Sequence, residues 1–91
     1  MRIVWTNTAQ TELHGQIQYI AARNKDAARR IRHAIHQAVC LLVDNPYLGR
    51  PGDLDQTREL VITDTPYLLV YGVVADEVQI YHLYHGRQDW K

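Results

Sequence analysis

Six side chains in the second half of the chain are of types that could cleave RNA. Attack of a 2′-hydroxyl on the neighbouring phosphate needs a base, an acid for the leaving oxygen, and cations that stabilise the phosphate charge. The side chains of these types are His82, Tyr84, His85, Arg50, Arg58 and Arg87. If the chain is a ribonuclease, we expect its catalytic group to comprise Arg58, His82, Tyr84 and Arg87.

Two features of the sequence weigh against that chemistry. His82 and His85 are three residues apart, a spacing that places them on opposite faces of a regular strand. The ten basic and ten acidic residues cancel, and the sequence pI is about 7.0. Proteins that mainly grip phosphate groups are normally basic. Both features weigh against cleavage of RNA without excluding it.

The sequence predicts no metal site and no cofactor. His33 and His36 could share a metal on one helix face, but no third ligand lies nearby. Cys40 is the single cysteine, so it cannot form an internal disulfide. Its apolar neighbours predict a buried thiol.

The length and composition predict one soluble domain. A chain of 91 residues is too short for two domains, so we expect a single domain spanning 1–91. Hydrophobic residues make up 46% of the chain, which is typical of a folded protein. The N-terminus lacks the apolar core of a signal peptide, and no run approaches the ~18 apolar residues of a membrane helix. We expect a cytoplasmic protein without a membrane partner.

Two helices are predicted in the first half of the chain. The first begins at the N-cap Thr8 and has an apolar face that includes Leu13. The second begins at the N-cap Asp26, has an apolar stripe that includes Ile35, and ends before Pro46. The short connection between them predicts an antiparallel helical hairpin.

The rest of the chain predicts strands. A short strand opens the chain at 3–5, and a loop rich in Pro and Gly follows the helices at 45–55. Three β-rich runs then predict antiparallel strands at 58–63, 67–74 and 77–85. The predicted fold is therefore α+β, with a short N-terminal strand and a helical hairpin packed on an antiparallel sheet of three C-terminal strands.

The middle one of these strands is apolar on both faces. In the last strand, regular alternation places Ile80 and Tyr84 on one side and Tyr81 and Leu83 on the other. A sheet buried on both faces needs two covers, and the chain supplies only the helical hairpin. We expect an exposed apolar patch on the second face, of the kind that binds a partner.

Four segments of the chain resemble, in the same order, segments of the RelE/ParE toxin superfamily. They are the joint between the helices at 19–28 (YIAARNKDAA), the loop at 45–52 (NPYLGRPG), the hairpin at 57–67 (TRELVITDTPY) and the C-terminus at 85–90 (HGRQDW). Lys25 departs from the family pattern, which often has Pro there. The C-terminal segment is similar to the ParE branch, and the resemblance runs from about Trp5 to Trp90.

The resemblance implies the toxin of a type II toxin-antitoxin system, held in a hetero-oligomer by a cognate, ParD-like antitoxin. ParE-type members poison DNA gyrase, whereas RelE-type members cut messenger RNA on the ribosome. RelE-type sites carry a dense basic cluster, or a terminal His-Tyr pair with a Glu and an Arg. Near its C-terminus this chain has Trp90 where a Tyr could donate a proton, and Trp cannot do so. We therefore predict growth inhibition through DNA gyrase, with ribosome-dependent endonuclease action as the alternative.

Six residues are expected to contact the target or the antitoxin. They are Arg50, Arg58, Tyr67, His85, Arg87 and Trp90. Arginine suits geometrically fixed contacts with carboxylates or phosphates, and Arg87 and Trp90 form a tail beyond the last strand. The run Arg29, Arg30, Arg32 is interpreted either as a solvated helix face or as a surface that attracts an acidic antitoxin.

Overall fold

The computed structural model describes residues 1–86, so the predicted contact residues Arg87 and Trp90 lie outside the described part of the chain. The elements in chain order are β1 (Arg2–Trp5), α1 (Asn7–Ala21), α2 (Lys25–Asp44), β2 (Arg50–Pro51), β3 (Thr57–Val61), β4 (Tyr67–Val74) and β5 (Glu77–His85). The predicted strands 67–74 and 77–85 are confirmed with these bounds. The predicted strand 58–63 begins and ends earlier than expected, as β3.

All five strands form one sheet in the order β1-β5-β4-β3-β2. β3, β4 and β5 form the predicted antiparallel meander. β1 pairs in parallel with β5, and β2 adds a two-residue antiparallel edge beside β3. The α+β class is confirmed. The sheet is larger than predicted because it also contains the N-terminal strand and β2, which lies in the loop rich in Pro and Gly.

Both helices begin before the predicted caps. The N-cap of α1 is Thr6, which accepts an amide hydrogen bond from the first turn and whose Oγ1 donates to the Ile80 carbonyl oxygen at 2.9 Å. The N-cap of α2 is Asn24, whose side chain accepts an amide hydrogen bond at 3.0 Å. Thr8 and Asp26, the predicted caps, lie inside the first turns. The Thr6 cap therefore connects the start of α1 to β5 by a hydrogen bond.

The helices cover one face of the sheet, here called the helix face, and the main core lies between them. Two cross-strand pairs, Leu69 with Leu83 and Tyr71 with Ile80, are at most 1% exposed on this face. Leu42 of α2 is fully buried against the same core. Burying each aliphatic side chain of this size contributes about 1.5–3 kcal/mol, so the helix face is the main source of stability.

In the described part of the chain no helix covers the second face of the sheet, here called the open face. Its side chains include Thr57, Glu59, Val61, Leu68, Val70, His82 and Tyr84. Leu68 and Val70 are only 6% exposed. Val70 has Glu59 and His82 as its cross-strand neighbours, and Leu68 has Tyr84 as one of its own. Long polar and aromatic side chains flank Leu68 and Val70 on this face, whereas Val61 is largely exposed. The partner-binding apolar patch expected here stays a prediction.

The outer surface of the helices is polar. The exposed residues of α2 include Arg29, Arg30, Arg32, His33 and His36. The prediction of a buried thiol is wrong, because Cys40 lies on this outer surface with its Sγ 3.5 Å from Nε2 of His36. Within residues 1–86, neither helix combines the length and the apolar character that a membrane span needs.

Candidate functional site

A β-bulge in β5 decides which side chains reach the open face. Tyr71 pairs with Ile80 and Val70 pairs with His82, so Tyr81 is an extra residue between two regular pairs. An extra residue resets the alternation of side chains along a strand. His82 therefore joins Val70 on the open face, while Leu83 returns to the core. The interpretation that Ile80 and Tyr84 share one side of the strand is wrong for this reason.

Four polar residues surround Val70 on the open face, here called the open-face cluster: Arg50, Glu59, His82 and Tyr84. The rings of His82 and Tyr84 stack, with centroids 4.7 Å apart and an interplanar angle of 14°. A groove of about 310 Å³ is lined by Asp53, Leu54, Thr57, Glu59, Val70, His82 and Tyr84. Because β4 separates β3 from β5, the backbones that carry Glu59 and His82 are about 10 Å apart.

Glu59 is the buried charge of this cluster. Its side chain is 4% exposed, and its Oε1 accepts hydrogen bonds from Nε and Nη2 of Arg50 at 3.2 and 3.1 Å. In the backbone pairing between β2 and β3, Arg50 is the partner of Glu59. This pairing positions the Arg50 guanidinium beside the Glu59 carboxylate. A buried carboxylate is costly unless it is paired. The Arg50 charge is thus largely committed to Glu59, although the Arg50 side chain remains 63% exposed.

Helix α1 supplies a second carboxylate at the edge of β5. Beyond Ile80, where β1 ends, Oε1 of Glu12 accepts a hydrogen bond from the Leu83 amide at 3.2 Å. The same oxygen lies 3.2 Å from Nδ1 of His82. Glu12 therefore satisfies a strand-edge amide and fixes the orientation of the His82 ring. Neither Glu12 nor Glu59 was among the site residues predicted from the sequence.

The cluster can exchange protons but offers little positive charge to a phosphate. Burial raises the pKa of Tyr84 and the charge of Glu12 raises it further, so the phenol stays protonated at neutral pH. His82 contributes an imidazole, a group that can donate or accept a proton. The groove lining contains two carboxylates, Asp53 and Glu59. A phosphate there would meet these charges and one guanidinium that is already paired.

Arg58 lies on the other face of the sheet from His82 and Tyr84. Its cross-strand partner is Tyr71 of the core, whereas Glu59, its neighbour in β3, points to the open face. The Arg58 guanidinium donates to the carbonyl oxygens of Tyr47 and Gly49 at 3.2 and 2.8 Å. The structure therefore brings His82 and Tyr84 together but separates Arg58 from them.

Tyr71 fixes the loop that leads into β2. Its hydroxyl donates to the Pro46 carbonyl oxygen at 2.9 Å and accepts from the Gly49 amide at 2.8 Å. A Cβ at Gly49 would lie 2.8 Å from both Tyr71 and the Glu59 carbonyl oxygen, so the close approach requires glycine. This loop conformation therefore positions Arg50 beside Glu59. The apolar strand around Tyr71 gave no sequence signal of this role.

Tyr67 and His85 are neighbours on the helix side of the sheet. Their rings meet edge to face, with centroids 5.4 Å apart. The Tyr67 hydroxyl donates to Oε1 of Gln16 at 3.1 Å, and burial raises the pKa of Tyr67. Because Tyr67 is 4% exposed, it can support a contact surface but contributes little area of its own. His85 is partly exposed beside it.

No set of three His, Cys, Asp or Glu side chains within residues 1–86 is arranged to hold a metal ion. His33 hydrogen-bonds Gln37 and His36 contacts Cys40, each on the outer face of α2. The absence of a metal and a cofactor from the function stays a prediction.

Known proteins match almost the whole chain. A family model described as the ParE toxin of type II toxin-antitoxin system, parDE, matches residues 3–90. A protein of Sinorhizobium fredii (strain NBRC 101917 / NGR234), provisionally named toxin Y4kP, is 40% identical over 89 residues, which is 98% of this chain and 92% of that protein. A solved chain from the chromosomal ParDE TA system of P. aeruginosa matches with a TM-score of 0.82 at 24% identity, covering 93% of this chain and 95% of that one. The last likeness concerns the fold alone.

Proposed function

The chain belongs to the ParE toxin family of type II toxin-antitoxin systems, and we propose that it inhibits growth by poisoning DNA gyrase until a cognate, ParD-like antitoxin neutralises it. The observation that carries this proposal is the family match over residues 3–90. The relative from Sinorhizobium fredii, similar over 98% of the chain, supports the same assignment as a toxin. The resemblance to the ParE branch seen in the sequence is confirmed.

The charges of the open face favour gyrase over RNA as the target. Cleavage of RNA needs cations placed where the phosphate charge grows. Within residues 1–86, Arg50 is paired with Glu59, and Arg58 is on the opposite face of the sheet. Asp53 adds a negative charge to the lining. These contacts support a toxin that acts by binding, without nuclease chemistry of its own.

Ribosome-dependent cleavage of messenger RNA is the second candidate, and the open-face cluster is the observation that favours it. A His and a Tyr stack beside one groove that also contains a Glu, with an Arg bound to that Glu. If a bound RNA phosphate drew Arg50 away from Glu59, then Arg50 would meet the phosphate while His82 and Tyr84 exchanged protons. In this alternative Arg50 replaces Arg58 among the predicted catalytic residues.

The predicted contact residues fall into two groups within residues 1–86. Arg50 and His85 present partly or largely exposed side chains, and we propose these as direct contacts with the antitoxin or the target. Tyr67 is buried and Arg58 is bound to loop carbonyls, so we assign them supporting roles. Arg87 and Trp90 remain proposed contacts with gyrase on the strength of the family resemblance.

The gyrase proposal is tested with purified protein, freed of antitoxin, in a DNA supercoiling and cleavage assay. We expect inhibited supercoiling and an accumulation of cleaved DNA. A chain truncated after Gly86 should lose this effect, and its circular dichroism and unfolding midpoint are measured to show that it is folded. The matched control is Val61→Ala, an exposed position on the open face that should behave as the parent. Gyrase that stays fully active with the folded full-length protein would overturn the proposal.

A further inference from the structure

The groove of the open face complements a cation better than it complements a phosphate. Within residues 1–86 its lining contains two carboxylates, Asp53 and Glu59, and no lysine or arginine. Arg50 lies beside the groove and is already paired with Glu59. With His82 counted as neutral, two negative charges and one positive charge meet here. The site therefore attracts a further positive charge.

One oxygen of Glu59 is positioned to receive a ligand. Both hydrogen bonds from Arg50 go to Oε1, and nothing within residues 1–86 donates to Oε2. In this part of the chain, every fully buried side-chain nitrogen or oxygen has a hydrogen-bond partner. Oε2 is therefore not fully buried, and it faces the groove that Glu59 lines. Because the Glu59 side chain is only 4% exposed, water solvates this oxygen poorly, which favours a charged hydrogen-bond donor as its partner.

The wall opposite Glu59 is aromatic. Val70 lies between the two walls, with Glu59 as its neighbour on β3 and His82 as its neighbour on β5. The backbones of these two neighbours are about 10 Å apart, which leaves room for a flat group above Val70. The rings of His82 and Tyr84 are within 14° of parallel. A planar cation between a carboxylate and an aromatic ring gains from an ion pair and from cation–π attraction.

The apolar part of the lining suits the stem of a long side chain. Leu54 lines the groove and is 72% exposed, and Val70 contributes a second apolar surface. Arginine and lysine pack their methylene groups on such surfaces while their charged ends make polar contacts. The aromatic wall separates the two, because a guanidinium stacks on rings whereas an ammonium is compact and strongly hydrated. The lining therefore favours arginine.

A nucleotide fits this groove less well than an arginine side chain. A base could stack on His82 or Tyr84, but its phosphate would add a negative charge near Asp53 and Glu59. Contact between the phosphate and Arg50 would also require Arg50 to leave Glu59. An arginine ligand uses Oε2 of Glu59 and leaves the existing pair on Oε1 intact.

We propose that the open-face groove binds an arginine side chain from a basic segment of a partner protein. The guanidinium lies between Glu59 and the stacked rings of His82 and Tyr84, and the methylene stem lies along Leu54. The proposal rests only on the lining of the groove, so it holds whether or not gyrase is the target of the protein. The contact is reversible and involves no covalent step.

The test titrates the full chain with a tripeptide that has blocked ends and one arginine between two glycines. Methyl NMR signals of Val70 and Leu54 report on the groove, and the signal of Val39, on the helix side of the molecule, is the internal control. We expect saturable shifts at Val70 and Leu54 and none at Val39. Citrulline has nearly the shape of arginine without its charge, so the citrulline peptide should bind about tenfold more weakly or worse. The lysine peptide should bind more weakly than the arginine peptide.

Substitutions of the carboxylates locate the contact. Glu59→Gln keeps an oxygen for Arg50 but removes the charge on the ligand side, and should weaken binding about tenfold. Because Glu59 is buried, the unfolding midpoint of this variant is measured in parallel. Asp53→Asn, at an exposed position of the lining, should weaken binding about two- to fivefold. Asp55→Asn is the matched control, because it removes the same charge two residues away and outside the lining.

Several outcomes would overturn the proposal. Equal binding of the arginine and citrulline peptides would exclude a cation site, and equal binding of the lysine peptide would exclude a stacked guanidinium. Equal losses in Asp53→Asn and Asp55→Asn would show that net charge alone attracts the peptide. A four-nucleotide RNA that shifts the same methyl signals and displaces the arginine peptide would identify the groove as a nucleotide site. Because the assay contains no gyrase, its result is independent of whether the gyrase proposal holds.

Discussion

The two faces of the sheet are built by the same strands but serve different purposes. On the helix face, Leu69, Tyr71 and Leu83 are packed under α1 and α2 and are at most 1% exposed. On the open face, Leu68 and Val70 are flanked by side chains that carry charge or hydrogen-bonding groups. The helix face therefore stabilises the fold, and the open face keeps polar groups in a fixed arrangement with less apolar burial. Changes on the two faces should have separable effects.

The largest expected effect is on the helix face. Leu69→Ala should lower the free energy of unfolding by about 2–5 kcal/mol, because it leaves a cavity in a fully buried site. Val61→Ala, at a 59% exposed position of the open face, should change it by less than about 0.5 kcal/mol. Urea unfolding followed by circular dichroism measures both. Similar losses in the two variants would contradict the separation of the faces.

The next effect in size is at the buried ion pair of the open face. Arg50→Ala removes the partner of a carboxylate that is 4% exposed, and should cost about 1–3 kcal/mol of stability. The double variant Arg50→Ala, Glu59→Leu should recover part of that loss, because it removes the unpaired charge as well. Arg30→Ala, at an arginine without a partner in residues 1–86, is the control and should be nearly neutral. A double variant less stable than Arg50→Ala alone would argue against this account.

A loss of comparable size is expected where the helix face holds the loop before β2. Tyr71→Phe removes two hydrogen bonds to Pro46 and Gly49, each worth about 0.5–1.5 kcal/mol. The Gly49 amide should then exchange with solvent faster than amides in the centre of β4. Hydrogen exchange followed by NMR measures this. Unchanged protection of Gly49 would mean that other contacts fix the loop.

The sequence predicted the helix face better than the open face. Apolar periodicity is local, so the bounds of β4 and β5 followed from it directly. The bulge at Tyr81 did not, because the residues around it all favour strands and only the pairing with Val70 and Tyr71 reveals the extra residue. That single residue moved Leu83 into the core and changed the composition of the open face.

The polar contacts of the site were also hidden from the sequence for a physical reason. Glu12 contacts His82, which lies 70 positions later in the chain. Arg50 contacts Glu59 from β2, a strand of only two residues. The cap of α1 is Thr6 instead of Thr8 because Thr6 also bonds Ile80 in β5. These contacts depend on residues that are far apart in the sequence, so local sequence patterns do not predict them. The resemblance to a family located the chain's function class, but it could not place these contacts.

The smallest expected effect is a change in alkaline stability. Burial raises the pKa values of Tyr67, Tyr71 and Tyr84 in the folded chain. As the pH rises above about 10, the ordinary pKa of tyrosine, the unfolded chain loses these protons while the folded chain retains them. Unfolding then releases protons, so stability should fall with rising pH. Urea midpoints compared at pH 9 and above pH 10 measure this fall.

Tyr84 allows the two faces to be compared in the same titration. Glu12→Gln removes a charge that raises the pKa of Tyr84, so this phenol should ionise at a lower pH than in the parent. Absorbance at about 295 nm, with Tyr84→Phe variants subtracted, isolates its titration. Tyr71 on the helix face has no such dependence on Glu12 and should be unaffected. A shift of Tyr71 on the same substitution would contradict the local origin of the effect.

The most direct test of the account asks whether the open-face cluster is required for toxicity. The double variant His82→Ala, Tyr84→Phe is expressed without antitoxin, and growth arrest is compared with that caused by the parent chain. Folding and antitoxin binding of the purified variant are measured in parallel. If the protein acts on gyrase by binding, the variant should arrest growth as the parent does. Loss of arrest by a folded variant that still binds antitoxin would contradict the account and make cleavage of ribosome-bound RNA by the parent and the variant the next measurement.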